Sequence, residues 1–379
     1  NRGICTYNSF HLCGLFMGLM NLARCITFYC MPSAQKTDTE CLKRILVIRN
    51  DHIGDVCLTL PFLSLIKQFK PDIRLSVLVH EYTEDIVSGN PLIDRIIVQH
   101  THDSVQDIIA ETDEYDALFN LCSTGFNAQI CSRIVSRYKT GYAYKPYNML
   151  SFNRFTYVKR SNPPVHETDF CFSFAEAIGI PAESYRKQAL RQASIHIPEE
   201  TETWVAEYMK NTGLGTGKPL IAIHAGDFTS AMNLSVSQYA EIGRRCLRAL
   251  EADIVYLFGP SEKNLAAGFP DSLRKQCFFI EGDLTLKQLA CFISHADCFI
   301  SGSTGPMHIA GIMETPTVSI FSENPAHAPE KWHPIKNSRI IITPEEPYAR
   351  SSETSYMETV DLDNVISGVT ELIEAKPAI

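Results

Sequence analysis

Several patterns that organise other proteins are missing from this sequence. No C-x-x-C pair occurs among its 13 cysteines, so the paired ligands of a structural zinc site are lacking. Five cysteines fall within the first 41 residues, and the others, such as Cys57, Cys122, Cys246 and Cys298, stand singly in apolar stretches. That placement predicts buried thiols in a reducing cytosol rather than a disulfide framework. No strand is followed by G-x-G-x-x-G, which disfavours a nicotinamide dehydrogenase. A surplus of Lys and Arg is also missing: the formal charge is −9, which argues against nucleic acid as a partner. The apolar run at residues 10–30 is interrupted by Arg24, and its longest uncharged part falls short of the ~20 residues of a spanning helix. It has neither a strong basic n-region nor an A-x-A site for signal cleavage. Residues 1–43 therefore read as an extension, either an interfacial helix or a disordered tail, with no chemistry assigned.

What is present begins abruptly at Arg44. RILVIR (44–49) is an apolar strand, NDHIGD a loop and VCLTLPFLSLIKQF a helical run. IRLSVLV (73–79), DRIIVQ from Asp94 and YDALFNLC (115–122) are further strands. After residue 215 the cycle restarts with KPLIAIHA (218–225), DIVYLFG (253–259), CFFIEG (277–282), DCFISG (297–302) and PTVSIF (316–321). Helical runs such as VSQYAEIGRRCLRAL and GPMHIAGIM separate them, and residues 361–375 close the chain as a helix. This alternation predicts the α/β class, with parallel sheets covered by helices on both faces. The expected architecture is two Rossmann-like domains, 44–212 and 213–379, facing each other across a cleft. The glycine-rich GLGTGKP (213–219) is the expected hinge. At 379 residues, 45% apolar and 20% charged, the chain suffices for two domains with a core each. In such open sheets ligands lie beyond the carboxyl ends of the strands.

Three loops at those ends carry candidate chemistry. In NDHIGD (50–55), Gly54 lets backbone approach a ligand closely and the following N–H groups point out of a helix start. Asp55 has two readings there, an N-cap that satisfies free amides or a general base; His52 is a second candidate base. In SGSTGPMHIA (301–310), small hydroxylated residues and glycines expose N–H groups at a helix start, a design suited to a diphosphate. Pro306 fits that first turn because its missing N–H costs nothing there. The alternative is a Ser/Thr-capped helix with no ligand. In HAGDFTS (224–230), Thr229 and Ser230 could donate hydroxyl hydrogen bonds to phosphate.

ILVIRNDHIGDVCLTLPFLSLIKQFKP with GNPLIDRIIV, and FISGSTGPMHIAGIMETPTVSIF with APEKWHP, resemble the two halves of the glycosyltransferase family 9 heptosyltransferases; HAGDFTSAMNLSVSQYAEI resembles that family's phosphate loop. The resemblance covers roughly residues 44–375. It implies the GT-B fold, a cytoplasmic enzyme with no cofactor, and transfer of heptose from ADP-heptose to a lipopolysaccharide core with inversion at the anomeric carbon. It further implies that Asp55 is the general base, that Gly54, Ser303, Thr304, Gly305 and His308 belong to the donor site, and that Thr229 and Ser230 hold phosphate. The sequence departs from the family in places. Met232 stands where the family carries Lys or Arg, Leu234-Ser235 replaces Trp-Pro, and Ser303 replaces an Asp that often opens the glycine-rich loop. Lys287 stands where some members carry a Glu that helps hold the nucleoside ribose. These departures leave open another nucleotide sugar as donor, or a degenerate transferase that binds nucleotide sugar or glycolipid as a scaffold. An epimerase of the same shape would need further acids at the cleft, and no such cluster is evident.

A last absence is informative. Between Asp116 and Glu167 there is no acidic residue, while the interval holds Arg133, Arg137, Lys139, Lys145, Arg154, Lys159 and Arg160 among many aromatics. Cations pair with phosphates and carboxylates, and aromatic faces stack on sugars. Arg133, Arg137 and Lys139 are therefore the expected contacts for an anionic glycolipid acceptor, with peripheral contact at the cytoplasmic face of the inner membrane; the rival readings are a nucleic-acid patch and an ordinary solvated face. A metal-dependent transferase would want D-x-D, and the one such pair, Asp361 and Asp363, opens the last helix and reads as a cap.

Overall fold

A computed structural model describes residues 37–160, 164–226, 231–282, 284–348 and 356–375. Most of the expected extension, and Thr229 and Ser230 with it, lie outside these residues. From Glu40 onward the described residues belong to one compact unit built on two six-stranded parallel sheets. The first contains β1 (Arg44–Ile48), β2 (Arg74–His80), β3 (Arg95–Gln99), β4 (Tyr115–Asn120), β5 (Ser136–Tyr142) and β6 (Arg154–Thr156), in the order β3-β2-β1-β4-β5-β6. The second contains β7 (Leu220–His224), β8 (Asp253–Phe258), β9 (Phe278–Glu281), β10 (Cys298–Gly302), β11 (Thr317–Ile320) and β12 (Arg339–Ile342), in the order β12-β11-β10-β7-β8-β9.

The two orders are one topology used twice. Each sheet reverses winding beside its own first strand, at β1/β4 and at β7/β10. A crevice opens at such switch points because consecutive connections leave in opposite directions. The central strands are buried end to end, as in β7 (LIAIH) and β10 (CFISG), which is why they read as continuous apolar runs. The strands expected from the sequence are present. β5, β6 and β12 are additions, and β5 escaped notice because its alternating burial leaves basic and aromatic residues half-exposed.

Helix α1 (Ile53–Phe69) follows β1 and is buried continuously from Val56 to Ile66. It has no polar face because helices α2 (Glu167–Glu176) and α3 (Ala182–Gln192), together with a helix of the second half, pack around it. Helix α4 (Glu199–Thr212) packs on α5 (Leu286–Ser294), with the rings of Tyr208 and Phe292 6.2 Å apart. So α3 rests on the first half and α4 on the second, and the chain crosses within residues 193–198. The glycine run at 213–217 joins α4 to β7, which both lie on the second side; Gly213, Gly215 and Gly217 turn there with φ of 76°, 68° and 81°. Cys57, Cys131, Cys171, Cys246, Cys277 and Cys291 are buried free thiols, and Cys298 is buried too. No helix of the described residues is long and apolar enough to cross a membrane.

Two lysines fasten the crossing. Buried Lys287 donates to the carbonyls of Ser88 at 2.7 Å and His196 at 2.6 Å, and Lys336 donates to Ala193 at 2.6 Å. Lys287 is thus a tie between the two halves. Hydrogen bonds from a charged donor contribute about 1.5–3 kcal/mol each. Lys287→Ala should therefore lower the unfolding free energy by about 2 kcal/mol, read as an earlier denaturant midpoint. A midpoint equal to wild type would show that water replaces the ammonium at no cost.

Candidate active site

The crevice of the first sheet is lined by the end of β1 and the start of α1. His52 occupies the N-cap position of α1 and makes no side-chain cap hydrogen bond; it is exposed and lies 3.4 Å from the Tyr82 hydroxyl. Asp55 is the third residue of the helix, not its cap, so the capping reading of the sequence is corrected. Its carboxylate instead pairs with Arg49. Arg49 is one of the largest fully buried side chains. It also meets Asp51 at 3.0 Å and Glu167 at 2.8 Å, and donates to the Leu121 carbonyl at 3.1 Å. Glu167, the first residue of α2, is 1% exposed and takes a second guanidinium from Arg160. The sequence reading missed Arg49, Asp51 and Glu167; a charged residue closing a strand that otherwise reads RILVI was the available signal.

Burial sets the protonation behaviour of this cluster. Desolvation, reinforced by the Asp51 carboxylate and opposed by Arg49, His52 and Arg160, pushes Asp55 up to about 6. Desolvation likewise raises Asp51, against the pull of Arg49. Burial alone would lower Arg49, but its three carboxylate neighbours hold it well above its ordinary value. Asp55, 14% exposed, is part of the network that reaches solvent.

The crevice of the second sheet lies between β7 and β10. β10 ends in Ser301-Gly302, and Thr304 stands as the N-cap of helix α6 (Gly305–Ile312) with Pro306 in the first turn. The Thr304 hydroxyl does not cap this helix. It lies 3.0 Å from Ser301 Oγ and 3.3 Å from His224 Nδ1, and His224 Nε2 is 3.2 Å from Glu262. Desolvation works against the charge on Glu262, yet the His224 hydrogen bond and the Gly259 N–H hold it below its ordinary value. Tyr239 and Asn233 join the loops: Gly302 N–H donates to the Tyr239 hydroxyl at 3.0 Å, which donates to Asn233 at 2.6 Å, and Asn233 donates to the Gly226 carbonyl at 2.6 Å. Because the side chains of Thr304 and Ser301 bond inward, what the loop turns outward at residues 303–306 is the backbone of a helix start, with its partial positive charge.

The two helix starts meet. A Cβ on Gly54 would lie 2.5 Å from Cδ2 of His308, and one on Gly305 would lie 2.9 Å from Cβ of Ile53. Gly54 therefore serves close approach to His308 of the other half. His308 is buried, with no hydrogen-bond partner for Nδ1. Desolvation, with His166 and His333 nearby, depresses it to about 3. His166 and His333 stack 4.2 Å apart across the same junction, and burial holds His166 down at about 4. Arg160 reaches over the Trp332 ring at 5.8 Å.

Other expected residues fall elsewhere. Ser303 is half-buried beside Thr304. Met232 packs against the second hydrophobic core and Leu234 is buried in it, while Ser235 caps the helix Val236–Leu250 in a capping box with Gln238; the apolar departures from the family pattern thus fill core. Arg137 lies near the amino end of β5, whose Ser136 pairs with Tyr115 at the start of β4. That is about 13 Å below the strand ends that hold Asp55, at ~3.3 Å per residue. Arg133 ends the helix before it, Lys139 donates to the Ser132 carbonyl at 3.3 Å, and Arg137 lies over the Tyr138 ring. The structure does not bring these three to the cluster; Arg160, from the same basic stretch, is the one that reaches it. Asp361 caps the last helix through the Asp363 N–H, and Asp363 pairs with Arg245 at 2.6 Å.

A model of glycosyltransferase family 9 (heptosyltransferase) matches residues 111–360. A Haemophilus influenzae protein named as a provisional glycosyltransferase is 26% identical over 353 residues, 88% of this chain and 97% of that protein. The lipopolysaccharide core heptosyltransferase OpsX of the same species is 24% identical over 321 residues, 80% of this chain and 85% of that protein. The solved structure of the Escherichia coli ADP-heptose lipopolysaccharide heptosyltransferase II shares the fold with a TM-score of 0.69 at 15% identity, covering 87% of this chain and 98% of that one.

The junction of the helix starts can be tested by a double-mutant cycle. Gly54→Ala forces its methyl into a buried ring and should cost about 1–3 kcal/mol by overpacking. In a His308→Ala background the same change should cost less than half as much, since contacting residues couple by about 0.5–3 kcal/mol. Additive costs in thermal or urea unfolding would show that the two residues are not in contact.

Proposed function

The chain belongs to glycosyltransferase family 9, and on that premise we propose that it transfers heptose from ADP-heptose to the core of a lipopolysaccharide acceptor, by one inverting displacement and without a metal. The observation that carries this reading is the pairing of two helix starts at two topological switch points, one bearing the Asp55 carboxylate and the other the loop 303–306. Asp55 takes the proton of the attacking acceptor hydroxyl. The hydroxyl oxygen bonds to the anomeric carbon as the bond to the diphosphate breaks. The leaving charge collects at the N–H groups of Ser303 to Gly305 and the positive end of α6. Thr229 and Ser230 would donate to the same diphosphate, and the ring of His308, kept neutral by burial, packs the donor site against the base.

Arg49 and Glu167 give the base its character. Arg49, held from behind by Glu167, fixes the Asp55 carboxylate on one oxygen and leaves the other for a hydroxyl proton. The acceptor is an anionic glycolipid at the cytoplasmic face of the inner membrane, met at the crevice by Arg160, which pairs with Glu167. For both substrates to reach Asp55 the helix starts must part, and their return would exclude water and limit donor hydrolysis. Asp361 and Asp363 are occupied as a cap and in an ion pair, so the D-x-D pair supports no metal-assisted route.

The test is ADP release from ADP-heptose and other nucleotide sugars, as a function of pH. Asp55 is protonated, and so inactive as a base, below its raised value; kcat/KM should climb with pH through about 6, well above the ~4 of an ordinary carboxylate. Asp55→Asn should lower kcat by roughly 10²–10⁴-fold and leave donor Kd unchanged. Normal turnover by this variant would move the role to another group, with His52 next to be tried. A wild type that binds nucleotide sugars and releases nucleotide from none of them would make the protein a scaffold.

A further inference from the structure

The acid-free interval 117–166 divides in three dimensions into two surfaces, and only one of them is apolar. Beyond the carboxyl end of β5 the chain makes a short turn, Pro146–Leu150, and comes back to lay β6 parallel beside β5. This excursion carries most of the large apolar side chains that are exposed among the described residues: Tyr144, Tyr147, Met149, Tyr157 and Leu150, the last 95% exposed. Exposed Lys145 and Lys159 flank them, and Lys159 Nζ lies 5.9 Å above the Tyr144 ring. The turn is held in place. Asn148 is buried and donates to the Tyr142 carbonyl at 2.8 Å, and Tyr147 Oη donates to Ser123 at 2.6 Å. Phe152 sits under Gly141, where any Cβ would strike its ring at 2.6 Å. A leucine presented this way on an anchored turn is not explained by the core.

We propose that the excursion 144–159 is a docking surface for an anionic lipid bilayer, with Leu150 and Met149 entering the interface and Lys145 and Lys159 pairing with lipid phosphates. This rests on the reading that the acceptor is anchored in a membrane, and it names the contact that brings the protein there. The chemistry favours a bilayer over a protein partner. Its exposed Tyr rings are of the kind enriched at the headgroup layer, and its charges are all of one sign in a chain of net −9. Basic residues near an anionic leaflet are attracted within a Debye length. The position also serves the site. Tyr147 bonds to Ser123, two residues beyond Leu121, whose carbonyl takes a hydrogen bond from Arg49, and Lys159 precedes Arg160, which grips Glu167. A bilayer resting on the tip would border the Asp55 side of the crevice.

The experiment is co-sedimentation of the full chain with vesicles of phosphatidylethanolamine and phosphatidylglycerol, and with vesicles of phosphatidylcholine alone. Wild type should bind the anionic vesicles and not the neutral ones, and Lys145→Glu with Leu150→Asp should weaken that binding roughly tenfold or more. Leu150→Trp should show a blue shift of its new fluorescence on mixing with anionic vesicles. Equal sedimentation with both vesicles, no binding by wild type, unchanged binding by the double variant, or an indole signal from Leu150→Trp that ignores lipid would each overturn the surface. ADP release with a lipid-free core oligosaccharide separates the two readings. It should be unchanged in the double variant, and its absence in wild type would fail the transferase reading while leaving the vesicle result to stand.

Discussion

A fully buried guanidinium is costly unless every face of it meets negative charge or a carbonyl. Arg49 meets Asp51, Asp55, Glu167 and the Leu121 carbonyl, and the geometry of the first crevice follows from that requirement. Asp55 and Asp51 come from the loop after β1 and the helix it opens, Leu121 from the end of β4, and Glu167 from α2, so one side chain draws three segments onto the switch point. Removing any one carboxylate takes from the buried guanidinium one of the partners that compensate its desolvation. The balance is incomplete: three carboxylates face two guanidiniums, Arg49 and Arg160, and Asp55, which reaches solvent, has a raised affinity for its proton.

The second constraint is the width of the junction. Helix starts are bare of side-chain bulk only where glycine stands, and here Gly54 and Gly305 face His308 and Ile53. With no Cβ on either, backbone amides of both helices come to a common surface. The histidines at this junction are kept neutral by burial, so the contact is one of packing rather than charge. The ties made by Lys287 and Lys336 work differently. They hold the crossing chain by ammonium–carbonyl bonds.

The basic stretch shows how one compositional feature can serve separate ends. β5 carries Arg137 and Lys139 at its amino half, Arg160 turns inward to Glu167, and Lys145 and Lys159 stay on the surface with the aromatic turn. A strand carries its residues away from a site over only a few positions, at ~3.3 Å each, so charges close in sequence part company in space.

The fold class and its site-bearing loops were legible in the sequence alone. The strands β1, β7 and β10 are apolar throughout because both faces are buried, and that leaves a readable pattern; the loops after them had to carry Gly54, Asp55 and the run Ser303 to Gly305 because only small residues let helix starts approach. What those residues touch was decided by the tertiary structure. Asp55 read as a cap or a base, and only the fold placed it inside the helix beside Arg49. The partners that arrange these residues are distant in the chain, Glu167 for Arg49 at a separation of 118 residues and His308 for Gly54. Burial and ion pairing are properties of the assembled volume, and a local pattern holds no record of which remote side chain will fill it.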